Sequence, residues 1–152
     1  MEYWICVVNE ENWEVVKGKG VWGVSERGGK ALMSVKPGDL LVFYVIPKRV
    51  GGVFKAVSEP YVDKTPVFYP VKFRDDVFEY RVKVEPVLLP EEPIDFTPLV
   101  EKLSFIKNKQ RWSAPFRRAM FKISEEDYKA VSYTHLRAHE TEADLVCRLL
   151  LE

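Results

Sequence analysis

The stretch "VKPGDLLVFYVIP" limits the possible folds more than any other part of the chain. Lys36-Pro37-Gly38-Asp39 has Pro and Gly in the order a type II turn requires. Leu40 to Ile46 follows without a polar side chain on either face beyond one tyrosine hydroxyl. A strand that is apolar on both sides needs cover on both sides. That favours a barrel or a covered sheet over a half-exposed hairpin. Within 152 residues one domain can supply such cover.

Other segments fit that frame. "YWICVV" (Tyr3 to Val8) reads as a buried first strand. Asn9 can cap a helix with Glu10 and Glu11 in its first turn, Lys17 in its last and Gly18 just past its end. "GKGVWGVSERGGK" is glycine-rich and reads as a loop that displays Trp22. "GGVFKAV" is a further strand. "EYRVKVEPV" alternates, with Tyr80, Val82 and Val84 inward and Arg81, Lys83 and Glu85 outward. The Pro- and aromatic-rich connection between them has room for a short strand near Val71 to Phe73. Thr97-Pro98 opens a short helix to Leu103. Ser124 with Asp127 resembles a capping box at the start of "EEDYKAV".

The last stretch, "VSYTHLRAHETEADLVCRLLLE", carries both histidines. His135 and His139 have the i, i+4 spacing of a zinc site, but the pattern is HLRAHE, with no general-base Glu between the ligands. Val131 to Thr141 is also the translation of a DNA string resembling a transposon-end adaptor of short-read sequencing libraries. Leu145 to Leu151 matches the next adaptor segment in the same frame, after an index-sized gap at Glu142 to Asp144. The tail 131–152 is therefore read as adaptor-derived and outside the native domain, and no metal site is expected. Without it the body has 21 basic residues (23 less Arg137 and Arg148) and 19 acidic ones (23 less Glu140, Glu142, Asp144 and Glu152), a net charge of +2. The body has no histidine, which excludes histidine-based nucleophilic catalysis there. Cys6 and Cys147 form no disulfide framework. No apolar run is long enough to cross a bilayer, and the expected setting is cytoplasmic.

The strongest chemical signal in the body is Lys102 to Ser124. It holds Lys102, Lys107, Lys109, Arg111, Arg117, Arg118 and Lys122 with no acid, and Phe105, Trp112 and Phe116 are interleaved. Cations hold phosphates, and aromatic faces stack on bases at ~1–3 kcal/mol each. A solvated basic face over buried aromatics reads the same stretch equally simply. Trp22-Gly23-Val24 is a second candidate, since glycine lets backbone amides approach a flat ligand; a loop aromatic folded onto the core is its alternative. Asn9 could meet a base edge or merely cap its helix.

In this order, "YWICVVNEENW", "GVWGV", "VKPGDLLVFYV", "SEPYVD" and "FIKNKQRWSAPF" resemble the EVE domain of the PUA-like superfamily, over residues 1–130. The resemblance implies an α+β fold: a PUA-like twisted five- to six-stranded β-barrel with short helices around it, related to the YTH and ASCH domains. It also implies a non-catalytic reader of a modified base in DNA or RNA, with no cofactor. By motif position it points to Trp22, Gly23, Val24, Arg111, Trp112 and Ser113 for the base, with Asn9 and Tyr44 as further candidates. Lys107, Lys109, Arg117 and Arg118 would hold phosphates. Some relatives have "SEP" and "RLS" where this chain has "VNE" and "RWS", so the modification recognised can differ. Two other functions fit the pattern. One is an ASCH-like enzyme acting on modified nucleosides, with Lys107 or Lys109 beside Glu101. The other is a module that captures a peptide in the aromatic cleft.

Overall fold

A computed structural model describes residues 1–46, 48–68, 78–99, 103, 106, 116 and 118–132. Strand β1 (Tyr3–Val8) leads into helix α1 (Glu10–Lys19), strand β2 (Val21–Val24) and helix α2 (Glu26–Leu32). Strands β3 (Leu40–Val45), β4 (Arg49–Ala56), β5 (Tyr61–Val62), β6 (Tyr80–Leu88) and β7 (Ile94–Asp95) follow, then a 3-10 turn at Thr97–Leu99, strand β8 (Met120–Ile123) and helix α3 (Glu125–Val131). The main sheet runs β2-β6-β4-β3-β1-β8, with β5 paired to β6 and β7 to β4. Among the described strands only β1 and β3 pair in parallel, and α1, β2 and α2 form the crossover between them.

The doubly apolar strand lies near the middle of this sheet and separates two cores. Leu41, Phe43 and Val45 face one cluster with Trp4, Trp13, Trp22 and Phe54. Val42 and Tyr44 face the other, with Ile5, Val53, Phe96, Leu99 and Phe116. The sheet curls until α2 packs between its two end strands. A Cβ on Gly28 would lie 3.1 Å from the Cβ atoms of both Ala119, next to β8, and Val24 of β2. One on Gly29 would lie 2.9 Å from the Tyr80 ring. The Gly-Gly pair inside a helix, unfavourable by propensity, gives the close approach that lets α2 fill this seam.

Asp39 ties β1 to the turn before β3. The residue is 2 % exposed. Oδ1 accepts from the Glu2 amide at 3.0 Å, and Oδ2 accepts from Trp4 Nε1 at 3.2 Å and the Lys36 amide at 3.0 Å. Gly38 has φ 98°, and the Asp39 amide donates to Lys36 O at 3.0 Å, as the Pro-Gly turn requires.

Several local expectations change. The first helix runs to Lys19, and its left-handed cap is Gly20 (φ 65°), not Gly18. The glycine-rich stretch read as a loop contains β2 and most of α2. Arg81 faces away from the core yet is only 4 % exposed, because a neighbouring segment covers it. The caps at Asn9 and Ser124 form as read: Asn9 Oδ1 accepts from the Asn12 amide at 2.7 Å, and Ser124 Oγ from the Asp127 amide at 3.1 Å. The proposed strand near 71–73, residues 100–102 of the expected helix 98–103 and the tail beyond Ser132 lie outside the described residues.

Candidate nucleic-acid interface

Strand β2 pairs with β6 so that Trp22 lies opposite Val82 and Gly23 opposite Arg81. Strand alternation sends Trp22 and Val24 inward and Gly23 outward. Trp22 is 3 % exposed, and its ring meets Phe43 edge to face at 5.3 Å and 87°. Its Nε1 is buried and has no hydrogen-bond partner among the described residues. This corrects the picture of an exposed loop aromatic: the apolar flanks Val21 and Val24 draw the segment into the sheet and the indole into the first core.

On the other side of β2 the bare Cα of Gly23 admits an aromatic ring. Phe68 Cε2 is 2.7 Å from where a Cβ would stand. The Arg81 guanidinium lies 5.3 Å from the centre of that ring. Its Nε donates to Phe78 O at 2.8 Å and its Nη2 to Thr65 O, while Nη1 is 3.7 Å from Asp63 Oδ2. Asp63 in turn accepts from the Thr65 amide at 2.9 Å. The strap Asp63–Phe68 is thereby fastened across β2 and β6.

The Thr65 amide and hydroxyl, aided by the Arg81 charge, hold the Asp63 carboxyl below its ordinary range. A depressed carboxyl contributes stability above its unfolded value and loses it as pH falls through the folded one. Asp63→Asn should therefore abolish an acid-dependent loosening of the strap. Amide exchange of Thr65, followed between neutral and acidic pH in both proteins, checks this; the same acid response in the variant would assign the effect elsewhere.

The structure brings Trp22, Gly23 and Val24 together but separates Tyr44 from them. Tyr44 lies on the opposite face of β3, stacked on Phe116 at 4.1 Å and 13°. Its hydroxyl accepts from the Lys48 amide at 3.1 Å, and burial raises its pKa. Trp22 and Tyr44 therefore do not share a wall. Asn9 uses its side-chain oxygen to cap α1. Arg118 is exposed, with its guanidinium 4.6 Å from the Phe121 ring centre, and Lys122 stands 5.4 Å from that of Trp4. Lys107, Lys109, Arg111, Trp112, Ser113 and Arg117 lie outside the described residues, as do His135 and His139.

Three residues that sequence reasoning passed over stand near this region or its neighbouring helix. Phe68 and Arg81 build the strap, and nothing local in the sequence announces their meeting with Gly23. Asn12 is 5 % exposed on α1. Its spacing to Val15 and Val16, a polar residue on the buried stripe, was the available signal. Among the described residues no group of three or more His, Cys, Asp or Glu is placed to hold a metal ion. No described helix is long and apolar enough to cross a membrane.

Known proteins share this framework. A UPF0310 protein of Pyrococcus horikoshii is 44 % identical over 142 residues, covering 86 % of this chain and 97 % of the relative. Among solved structures, the Agrobacterium tumefaciens protein Atu2648 is 21 % identical with a TM-score of 0.60, covering 88 % of this chain and 92 % of its own. The YTH domain of a Zygosaccharomyces rouxii protein, solved in complex with N6-methyladenosine RNA, is 16 % identical with a TM-score of 0.62, covering 88 % and 85 %. These likenesses establish the PUA-like α+β fold. The EVE domain profile matches residues 2–133, and the chain belongs to the EVE domain family.

Proposed function

We propose that this chain is a nucleic-acid-binding module that recognises a modified base in DNA or RNA. The observation that carries the reading is Trp22: a buried indole whose N–H has no partner among the described residues, held on β2 of a fold shared with a YTH domain solved with methylated RNA. A base leaves its stack at a cost of a few kcal/mol, less when the strand is single. It reaches Trp22 after packing around β2 shifts, since the indole is closed here. Arg118 and Lys122, exposed along the β8 segment, hold flanking phosphates. Lys107, Lys109 and Arg117 are assigned the same task, and Arg111, Trp112 and Ser113 are assigned to the base.

A methyl group alone is worth ~0.8 kcal/mol of burial, about fourfold in affinity. Strong selectivity therefore needs clashes or unpaired polar groups for the wrong base. The test is titration of single-stranded oligonucleotides carrying one ordinary or one modified base, at two salt concentrations. A preference of tenfold or so for one modification, retained at the higher salt, is expected. Equal affinities with a steep salt slope would reduce the protein to a nonspecific phosphate binder and overturn the reading.

A further inference from the structure

The described cations fall into two groups. Lys17, Arg49, Lys55, Lys64, Arg81 and Lys129 each pair with a carboxylate. The rest have no carboxylate partner among the described residues, and most of them converge on one surface: Arg27, Lys30, Lys36, Arg118 and Lys122, all exposed. Lys19, Lys48 and Lys83 stand on other elements. The packing of α2 joins the stripe. Gly28 seats on Ala119, with 3.1 Å between its would-be Cβ and the Ala119 Cβ, and this sets Arg27 and Lys30 beside Arg118. Lys122 lies opposite Trp4 in the β1–β8 ladder, with Nζ 5.4 Å from the indole centre. The same indole donates to Asp39, which also accepts from the Lys36 amide, so Lys36 borders it too. Asp39 is buried and occupied by those N–H groups, and the nearest exposed acids, Glu2 and Glu26, form no ion pair with the stripe.

Resting on the reading of a base-recognising module, we propose that the outer face of α2, continued by Lys36 and the β8 segment, docks the phosphate backbone of a duplex flanking the recognised base. Neighbouring cations without counter-charges hold mobile anions, and phosphates that replace those anions release them. The surface offers charge without stacking: among the described residues no aromatic side chain is exposed. Unstacked single strands are held by aromatic faces as well as cations. A double helix keeps its bases stacked and presents phosphates alone along its edge, which is what this stripe fits. A membrane surface would need an apolar face beside the charge, and α2 with its C-cap exposes one large apolar side chain, Met33. The stripe also starts directly after β2, since only Ser25 and Glu26 separate Val24 from Arg27.

Two combined variants test this. Arg27→Gln with Lys30→Gln and Lys36→Gln strips the helix side of the stripe. Lys19→Gln with Lys48→Gln and Lys83→Gln removes the same charge elsewhere. All these positions are exposed, so urea unfolding of both variants should match the native chain. Each protein is titrated over a salt series with unmodified DNA and RNA duplexes and with their separate strands. The stripe variant is expected to bind duplex roughly tenfold more weakly, with a salt slope smaller by about 2–3. The control variant should keep near-native duplex affinity, single strands should lose far less than duplex, and the preference for a modified base should persist in the stripe variant. Equal losses in the two variants would reduce the effect to net charge and overturn the inference while leaving the module's function standing. So would equal losses for duplex and single strand, or no duplex binding by the native chain. Capture on phosphatidylserine vesicles that disappears in the stripe variant, with duplex affinity unchanged, would assign the surface to a membrane and overturn it as well. A native chain without base preference, whose duplex binding still falls only in the stripe variant, would instead overturn the base reading and keep the docking surface.

Discussion

Asp39→Ala is expected to lower the unfolding free energy by about 3–5 kcal/mol, or the melting temperature by roughly 10–15 °C. The carboxylate accepts three N–H groups: the amides of Glu2 and Lys36 and the indole of Trp4. Alanine leaves them facing a site too enclosed for ready solvation, and each hydrogen bond to a charged acceptor is worth ~1.5–3 kcal/mol. The loss also spreads along the chain. The same turn is hooked to β4, with Gly38 N donating to Ala56 O at 2.8 Å and Ala56 N to Asp39 O at 2.9 Å. Asp39→Asn keeps one acceptor oxygen in place and should cost about half as much. Urea denaturation of the three proteins measures the difference. A loss below ~1 kcal/mol for alanine would mean that the latch contributes little beyond the turn itself.

Gly52→Ala should be nearly as damaging, at about 3–4 kcal/mol. Gly52 has φ 156°, which an L side chain rarely adopts, and its added Cβ would meet the Leu88 carbonyl oxygen at 2.6 Å. That oxygen is backbone, part of β6 where Leu88 faces Val53, so no rotamer change relieves the clash. The ladder is already irregular on both sides of this glycine, with register shifts at Phe43/Tyr44 against β3 and at Val53/Phe54 against β6. Gly51 beside it holds the Trp13 ring, 2.6 Å from where a Cβ would stand. The two glycines are the bend by which β4 passes from one partner to the next. Gly18→Ala is the control. Nothing lies within 4 Å of that position inside α1, and alanine there should raise stability by ~0.5–1 kcal/mol. Equal unfolding curves for Gly52→Ala and the native protein would show that the bend has slack the geometry denies.

The regular elements were legible where one local rule decided the outcome. Leu40 to Val45 announced its two buried faces, and Asn9 and Ser124 announced their caps. Reading failed where a partner distant in sequence chose the conformation. The glycines at 18, 20, 23, 28 and 29 suggested a loop because their common property is the absence of a side chain. The structure uses that absence in separate ways: a left-handed cap at Gly20, a bed for Phe68 at Gly23, and close helix packing at Gly28 and Gly29. Alternation placed Arg81 outside the core, correctly, but alternation carries no information about a strap that then covers it. Trp22 stood out because the glycine beside it could let backbone amides approach a flat ligand, yet its burial follows from Phe43, which approaches from another strand. Tyr44 shows the opposite limit. Its neighbours in sequence fix its face on β3, and that face alone separates it from Trp22.

The central strand has a kinetic consequence. β3 is paired on both edges, with β1 and β4, and buried on both faces. Its amides can meet solvent deuterium only when the whole molecule opens, so their exchange rates measure the global free energy. Among the described strands β2 has one paired neighbour, with a strap for cover, and its amides can exchange through a smaller, cheaper opening. The gap between those two rates is the free energy that keeps the indole-bearing edge shut, read directly and without any ligand.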